Sequence, residues 1–299
     1  MAFYKCNFIS YTLGRAVDIC VTVPSPPLPG AICGKRTHQH KAPYPVLYLL
    51  HGGGNDCHSW FLYTQLRYFA EVRNIAVVTM SAENGRYADH PGHGPKYFTF
   101  IEKELPEFIS AYFPVSAKAK DTYIAGLSQG GAGAWAQVLD HPERYAAFGM
   151  LSSSAVGPMG SGCSLSLEGF YHVDKADDLF NAADMPKIPD DGKPVDFSKF
   201  RFPVKYKPVH PDALKRLEEI KRAGLRFPKA YIGIGGYDGG FLGAMTTAVK
   251  LNEMGFDATF EGVSGYAHEW AYWNIGIERF LDWLPRTDTY YQESPKRRF

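Results

Sequence analysis

Residues 123–135 read "YIAGLSQGGAGAW" and form the stretch that decides the fold. Its first residues are aromatic and β-branched, as in a buried strand, and its last residues are mostly small. Between them the pentapeptide 126–130, Gly-Leu-Ser-Gln-Gly, matches G-x-S-x-G, in which glycines permit a sharp turn from a strand into a helix. Such a turn lifts the serine hydroxyl above the edge of the sheet. Two interpretations follow: Ser128 is a nucleophile, or it is a solvated serine in a tight turn.

Apolar runs typical of buried strands recur along the chain, and helical patterns alternate with them. The predicted strands are 44–50, 75–80, 122–126, 145–151, 229–235 and 258–263. The predicted helices are 98–113, 132–141, 212–224, 243–255 and 269–284. Residues 3–24 add a pair of strands that we expect to form an antiparallel edge. This alternation predicts an α/β fold with a mostly parallel central sheet and helices on both faces.

The pattern is that of one domain with an insertion. With 299 residues and 45% apolar content, the chain can build one large core. Residues 155–211 interrupt the alternation with many Gly, Pro, Asp and Lys residues, over a length unusual for a plain connection. We therefore predict a single α/β domain over residues 1–299, with a lid or cap inserted at about 155–211.

The charge balance argues against nucleic acid and anionic membranes as partners. The chain has 32 Lys and Arg residues and 31 Asp and Glu residues, which give a formal net charge of +1. It contains no run of about 18 apolar residues, so no transmembrane helix is predicted. The expected partner is a small molecule, and the sequence leaves a homo-oligomer open.

The cysteines predict free thiols in a reducing compartment. They are widely scattered and include no C-x-x-C pair, which argues against a disulfide framework and against a zinc site. Residues 1–26 lack the charged start and unbroken apolar segment of a secretion signal, so we expect a cytoplasmic protein. His90 and His93 have no evident third ligand, and no metal site is predicted. The cysteines are Cys6, Cys20, Cys33, Cys57 and Cys163.

A nucleophilic Ser128 needs a general base, and that base needs a carboxylate to orient it. In this architecture the three residues follow the chain order Ser, acid, His. Asp238 comes directly after the strand at 229–235, whereas Asp257 precedes the last strand and belongs at the opposite end of the sheet. His268 is the only histidine after Asp238. The predicted catalytic residues are therefore Ser128, Asp238 and His268.

Backbone N–H groups at two turns are candidates for an oxyanion hole. The start of the helix after Ser128 offers the N–H of Gln129. A glycine-rich turn after the strand at 44–50 offers Gly53 as first choice and Gly54 as second. A phosphate-binding role for that turn is disfavoured because no Gly-Lys-Ser/Thr follows it. No cofactor is predicted.

Aromatic residues near the predicted site are candidates for contact with an acyl chain or an aromatic ring of the substrate. We assign this role to Trp60, Tyr87 and Trp270. Core packing is the competing interpretation, because Trp270 and Trp273 belong to an apolar face with helical spacing.

Five segments resemble the esterase D type of α/β-hydrolases, and within it the bacterial tributyrin esterases, with feruloyl esterases, acetylxylan esterases and S-formylglutathione hydrolases as relatives. The segments are "LGRAVDICVTVP", "VLYLLHGGGNDCHSW", "GPKYFTFIEKELPEFISAYFP", "YIAGLSQGGAGAWAQVLDHPERYAAFGMLSS" and "AHEWAYWNIGIERFLDWLP". The resemblance implies an α/β-hydrolase fold. It also implies a nucleophile at Ser128, an acid at Asp238, a base at His268, and oxyanion donors at Gly53 and Gln129.

The chain departs from the usual pattern of this family at both oxyanion positions. Gln129 stands where methionine is common, and Gly53 stands where a bulkier residue often occurs. Both residues would act through the backbone N–H, so we expect these differences to affect substrate fit more than catalysis.

These observations predict a serine carboxylesterase that needs no metal or cofactor and hydrolyses small acyl or aryl esters through an acyl-enzyme. The alternatives among enzymes are a feruloyl or acetylxylan esterase acting on plant-derived esters and, less favoured, an S-formylglutathione thioesterase. A hydrolase-fold binding protein without catalysis is the alternative from another class. The esterase ranks above that scaffold because all three triad residues are present in the expected order.

Overall fold

The computed structural model describes residues 1–25, 43–90, 94–155, 192–200 and 211–286. The predicted insertion at 155–211 falls largely outside these ranges, and its role as a lid or cap stays a prediction. Within them, no helix is both long enough and apolar enough to cross a membrane.

Eight strands form a single sheet in this part of the chain, in the order β1-β2-β4-β3-β5-β6-β7-β8. The strands β1 and β2 pair antiparallel, as do β2 and β4, and all other neighbours are parallel. The predicted mostly parallel sheet with an antiparallel edge is therefore confirmed. The strands are β1 (Ala2–Ser10), β2 (Arg15–Val23), β3 (Val46–Leu50), β4 (Ala76–Met80), β5 (Thr122–Leu127), β6 (Ala147–Leu151), β7 (Lys229–Gly235) and β8 (Ala258–Val263).

Helices cover both faces of the sheet. The helices are α1 (Ser59–Tyr63), α2 (Leu66–Val72), α3 (Tyr97–Thr99), α4 (Leu105–Tyr112), α5 (Gln129–Asp140), α6 (Pro211–Arg222), α7 (Phe241–Glu253) and α8 (Trp270–Trp283). A π-helical segment, Phe100–Glu104, joins α3 to α4. Apolar residues of α4 to α7 belong to one core cluster, and those of α1, α2 and α8 belong to a second. Each helix predicted from the sequence is present.

The central strands are buried because helices lie on both sides of them. Every residue of β3, β4 and β6 is buried, as expected for parallel strands with two covered faces. Side chains alternate between the two cores, with Tyr48 and Ile124 in one and Leu47 and Tyr123 in the other.

The helices α1 and α2, between β3 and β4, were not predicted. They are five and seven residues long, shorter than the window of about 11 residues in which helical periodicity becomes visible. Their buried residues Trp60, Leu66 and Phe69 lie in the same core as α8, so distant residues stabilise these short helices.

The strand order creates a crevice at the carboxyl edge of the sheet. From β3 the chain passes to β4 on one side and then crosses to β5 on the other. In open α/β sheets, ligands bind where the strand order reverses in this way. Gly53 follows β3 and Ser128 follows β5, so both lie at this switch point. Asp238 follows β7 and His268 follows β8 at the same edge.

Candidate active site

Ser128 occupies a strained turn between β5 and α5. Its φ of 51° and ψ of −120° place a residue with a Cβ in the positive-φ region. Such a conformation costs about 1–3 kcal/mol and persists only when its surroundings fix it. One of these constraints is the hydrogen bond that the Ser128 N–H donates to the carbonyl of Leu151 at 2.8 Å, at the end of β6. The side chain is partly exposed at the carboxyl edge.

Two glycines make this turn sterically possible. A methyl group on Gly126 would lie 2.2 Å from the carbonyl carbon of Gly130, and one on Gly130 would lie 2.5 Å from the carbonyl oxygen of Leu50. Both distances are too short for any side chain, and the obstacles are backbone atoms. Close packing of β3, β5 and α5 therefore requires glycine at both ends of the pentapeptide 126–130.

Asp238 and His268 form a hydrogen-bonded pair. The distance from His268 Nδ1 to Asp238 Oδ2 is 2.9 Å, and the Gly240 N–H donates to the other carboxylate oxygen at 2.9 Å. Burial alone would raise the pKa of the Asp238 carboxyl. The hydrogen bond from His268, the charge of His268 and the hydrogen bond from the Gly240 N–H together outweigh burial, so this pKa lies below its ordinary value. An ionised carboxylate facing Nδ1 favours the tautomer that leaves Nε2 free to accept a proton.

The alternative carboxylate, Asp257, lies at the other end of the sheet. Its carboxylate pairs with Lys229, the first residue of β7, at 2.7 Å. Both side chains are more than half exposed. Asp257 is therefore remote from the edge that carries Ser128 and His268.

The two residues predicted to supply oxyanion donors lie close together. A methyl group on Gly53 would lie 3.9 Å from Oε1 of Gln129, so the turn after β3 closely approaches the start of α5. The Gly54 N–H is engaged by Oδ1 of Asn84 at 2.8 Å. Among the described residues, neither the Gly53 nor the Gln129 N–H has a protein hydrogen-bond partner. This difference favours Gly53 over Gly54 as the second donor.

Comparison with known proteins identifies the family. The esterase family model, described as "Putative esterase", matches residues 34–184, just over half of the chain. The chain belongs to this esterase family. An acetyl esterase from Caldicellulosiruptor saccharolyticus is 25% identical over 289 residues, which cover 96% of this chain and 99% of that protein.

Solved structures show which fold the esterase has. The Staphylococcus aureus fluorophosphonate-binding serine hydrolase F is 22% identical with a TM-score of 0.69, and covers 96% of this chain and 99% of its own. An S-formylglutathione hydrolase from the same organism is 20% identical with a TM-score of 0.66 and coverages of 95% and 98%. A ferulic acid esterase is 20% identical with a TM-score of 0.64 and coverages of 94% and 96%. The fold is that of the α/β-hydrolases, the predicted resemblance is confirmed, and the chain is a hydrolase.

Two of the three predicted substrate-contacting aromatics lie in the core of the esterase. Trp60 and Tyr87 are 0% and 1% exposed, which leaves them no surface for a substrate, so this prediction is corrected for both. The Trp60 indole donates to the Leu50 carbonyl at 3.0 Å, and the Tyr87 hydroxyl donates to the His51 carbonyl at 2.9 Å. Both side chains therefore support the end of β3 and the turn that follows it.

Trp270, the third, is partly exposed and begins α8 two residues after His268. Its ring contacts Trp60, Tyr63 and Trp273 with centroid distances of 5.0 to 5.5 Å. Contact between Trp270 and a substrate stays a prediction.

His51, which the sequence did not single out, holds the glycine-rich turn of the esterase in place. Its Nδ1 lies 2.7 Å from the Gly52 carbonyl, and its Nε2 accepts the Ala82 N–H at 3.0 Å. Since Nε2 is an acceptor, Nδ1 carries the proton and donates it to Gly52. Burial lowers the pKa of His51, so the ring is neutral at pH 7. A neutral, fully bonded imidazole thus fixes the turn from which Gly53 projects.

Ser152 and Trp273 support the acid and base, and neither role was predicted. The Trp273 ring meets the His268 ring edge-on, with 5.1 Å between centroids. Its indole N–H donates to Oγ of Ser152 at 3.0 Å. The Ser152 hydroxyl is among the groups that lower the pKa of Asp238. Ser152 directly follows β6, between the strands that carry Ser128 and Asp238.

Asp196 joins the loops that precede the acid and the base. Its carboxylate accepts hydrogen bonds from the Ser264 hydroxyl and from the Gly265 N–H at 3.2 Å, both ahead of His268. The next residue, Phe197, donates its N–H to the Gly236 carbonyl at 2.8 Å, two residues before Asp238. Asp196 belongs to the part of the predicted lid or cap that the structure describes, and no role was predicted for this residue from the sequence.

Proposed function

We propose that this esterase is a serine carboxylesterase that cleaves small acyl or aryl esters in two steps through an acyl-enzyme. The observation that carries the proposal is the hydrogen-bonded pair of buried Asp238 and partly exposed His268, at the same sheet edge as the strained turn at Ser128. The strands β5 and β7 are two strand spacings apart, about 10 Å, with β6 between them.

In the first step, Oγ of Ser128 attacks the ester carbonyl carbon while Nε2 of His268 accepts the hydroxyl proton. The ionised Asp238 holds the imidazole by Nδ1 and stabilises the positive charge that develops on it. The tetrahedral intermediate collapses, the bond to the alkoxy oxygen breaks, and His268 returns its proton to the leaving alcohol. Ser128 then carries the acyl group as an ester.

In the second step, water replaces the alcohol. His268 accepts a proton from the water as its oxygen attacks the acyl carbon, and then gives that proton to Oγ of Ser128 as the acid leaves. The N–H groups of Gly53 and Gln129 would stabilise the oxyanion in both steps. Removal of one such donor typically lowers kcat by a factor of about 10²–10³.

A small acyl group is the first candidate for the acyl part of the substrate. The curated relative is named an acetyl esterase, which supports acetyl as the acyl group tested first. A feruloyl substrate is the second candidate, because Trp270 presents a partly exposed ring beside His268 and one structural neighbour is a ferulic acid esterase. Comparing kcat/KM for p-nitrophenyl acetate, methyl ferulate and S-formylglutathione separates these candidates and tests the thioesterase alternative.

The decisive test of the proposal is Ser128→Ala. We expect kcat for p-nitrophenyl acetate to fall about a million-fold while the fold is retained, because the nucleophile is lost without a change in packing. A fluorophosphonate probe should label the wild-type protein once and the variant not at all.

The matched control is Ser110→Ala on α4, an exposed serine whose hydroxyl donates to the Glu107 carbonyl at 3.0 Å. It should retain wild-type turnover and labelling. Turnover of Ser128→Ala within tenfold of the wild type would overturn the mechanism, and failure of the folded wild type to react with the probe would favour a scaffold without catalysis.

A further inference from the structure

The fold brings two distant cysteines and a histidine together beside the turn after β3. Cys20 lies in β2, and Cys57 and His58 immediately precede α1. The two sulfur atoms are 3.7 Å apart, and the Cys57 sulfur is 3.4 Å from Nδ1 of His58. All three candidate ligand atoms lie within 4.8 Å of one another.

Two of these separations match the edges of a tetrahedral metal site. Two thiolates each about 2.3 Å from a tetrahedral Zn²⁺ lie about 3.8 Å apart, and a thiolate and an imidazole nitrogen lie about 3.6 Å apart. The observed separations are 3.7 and 3.4 Å. A disulfide bond would instead require the sulfurs to approach to about 2.05 Å, a closure of about 1.7 Å.

Asp56 holds His58 in position beside the two cysteines. Its Oδ1 accepts the N–H of His58 at 2.8 Å and that of Ser59 at 3.2 Å, which fixes the carboxylate at the start of α1. Its Oδ2 is directed to Nδ1 of His58 at 3.4 Å.

We propose that Cys20, Cys57 and His58 form a binding site for a thiophilic divalent cation of the zinc type. Two thiolates and one imidazole are ligand types that Zn²⁺ takes, and water can occupy the fourth position. Cys20 and Cys57 are buried, while the His58 side chain is 28% exposed, so the ion enters from the side of His58 and Asp56.

The bound ion would tie β2 to the segment after β3. Cys57 lies four residues after Gly53, so the metal would fix the far end of the turn that offers the oxyanion donor. This role is structural and separate from ester hydrolysis, since no metal takes part in the proposed chemistry. Cys20 and Cys57 are 37 residues apart in the sequence, so they form no C-x-x-C pair. For that reason the sequence did not predict this site.

The test uses Co²⁺ as a spectroscopic probe and requires no enzymatic activity. The reduced full-length protein is treated with a chelator and titrated with Co²⁺ without oxygen. We expect one cobalt ion per chain, with near-ultraviolet thiolate-to-cobalt absorption and the visible bands of a tetrahedral ion, all displaced by Zn²⁺. Cys20→Ser and Cys57→Ser should each lose most of the thiolate absorption, and His58→Gln should weaken cobalt binding by more than about tenfold.

Matched variants control for general effects. His141→Gln replaces a histidine with the same 28% side-chain exposure and should bind cobalt normally, as should Cys6→Ser and the double variant Cys33→Ser/Cys163→Ser. Lack of thiolate absorption in the reduced wild type, or its persistence in Cys20→Ser and Cys57→Ser, would overturn the proposal. So would recovery of Cys20 and Cys57 as a disulfide from protein that binds no cobalt once reduced.

Discussion

Replacement of Asp238 by Asn tests the acid and base assignment with little change in volume. The carboxylate is 1% exposed, and its two oxygens bond the Gly240 N–H and Nδ1 of His268. In Asp238→Asn, the amide oxygen can still accept from Gly240, and the amide NH₂ then faces Nδ1. His268 must accept at Nδ1 and carry its proton on Nε2, where it cannot receive the proton of Ser128.

The size of the effect follows from the geometry. An imidazolium and a carboxylate whose nearest atoms are 2.9 Å apart attract each other by about 6 kcal/mol at an effective dielectric constant of about 20. This attraction exists only while His268 is positively charged, so its loss raises the barrier rather than weakening binding. At about 1.4 kcal/mol per decade, kcat should fall about 10⁴-fold. The equivalent change in another Ser-His-Asp triad has an effect of that size.

Asp257→Asn is the matched control, because it makes the same chemical change at the opposite end of β7 and β8. Steady-state hydrolysis of p-nitrophenyl acetate gives kcat for both variants, and circular dichroism with urea unfolding checks that both are folded. We expect Asp257→Asn to stay within about twofold of the wild type, because exposed ion pairs contribute little. A kcat for Asp238→Asn within tenfold of the wild type, or an equal loss in Asp257→Asn, would refute the reasoning.

Two further predictions concern the framework of the site. Glu104 is buried and accepts hydrogen bonds from the Ser10 hydroxyl at 2.6 Å and the Thr12 N–H at 2.9 Å; burial alone would raise its pKa, but these bonds lower it. Glu104→Gln should lower the free energy of unfolding by about 2–3 kcal/mol at pH 7. The pKa of Glu104 is lower in the folded protein than in the unfolded chain, so the stability that its charge provides is lost as the pH falls. Urea unfolding should therefore show the difference between variant and wild type shrinking below about pH 4. Gly130→Ala should destabilise the fold by about 1–3 kcal/mol, because its methyl group would clash with backbone oxygens. In Gly53→Ala the nearest described atom to the new methyl group is 3.7 Å away. This variant keeps its N–H, so we expect it to retain its melting temperature and most of its activity. Loss of activity in a stable Gly53→Ala would contradict a purely backbone role.

The elements that the sequence predicted are those with strong local signals. The turn at Ser128 combines a strand, two sterically required glycines and a helix within a dozen residues, so pattern and structure coincide there. The position of Asp238 followed from the rule that parallel strands direct their carboxyl ends to one edge, and the structure places Asp257 at the other. The choice of Gly53 over Gly54 gained support only from the structure, because it depends on which N–H Asn84 already engages.

What the sequence could not supply depends on contacts between distant residues. The hydrogen bond from Trp273 to Ser152 spans 121 positions, and no local pattern announces it. Trp60 and Tyr87 were assigned to the substrate because they lie near the motifs along the chain. Their burial results from tertiary packing, which turns each ring toward the end of β3. Proximity in sequence therefore placed both rings near the active site but did not predict that they are buried beneath it.

Residues 192–200 show packing that composition alone does not reveal. The sequence assigned them to the predicted lid or cap. In the structure Asp196 is 6% exposed, and Phe197, 3% exposed, lies against Phe241 of α7. Burial would raise the pKa of Asp196, but hydrogen bonds from Ser198, Ser264 and Gly265 lower it, so the carboxylate is ionised inside the protein. A buried charge is tolerated only where such bonds satisfy it. Two of these donors, Ser264 and Gly265, lie in the loop that carries His268. Residues 192–200 therefore help to position the catalytic base.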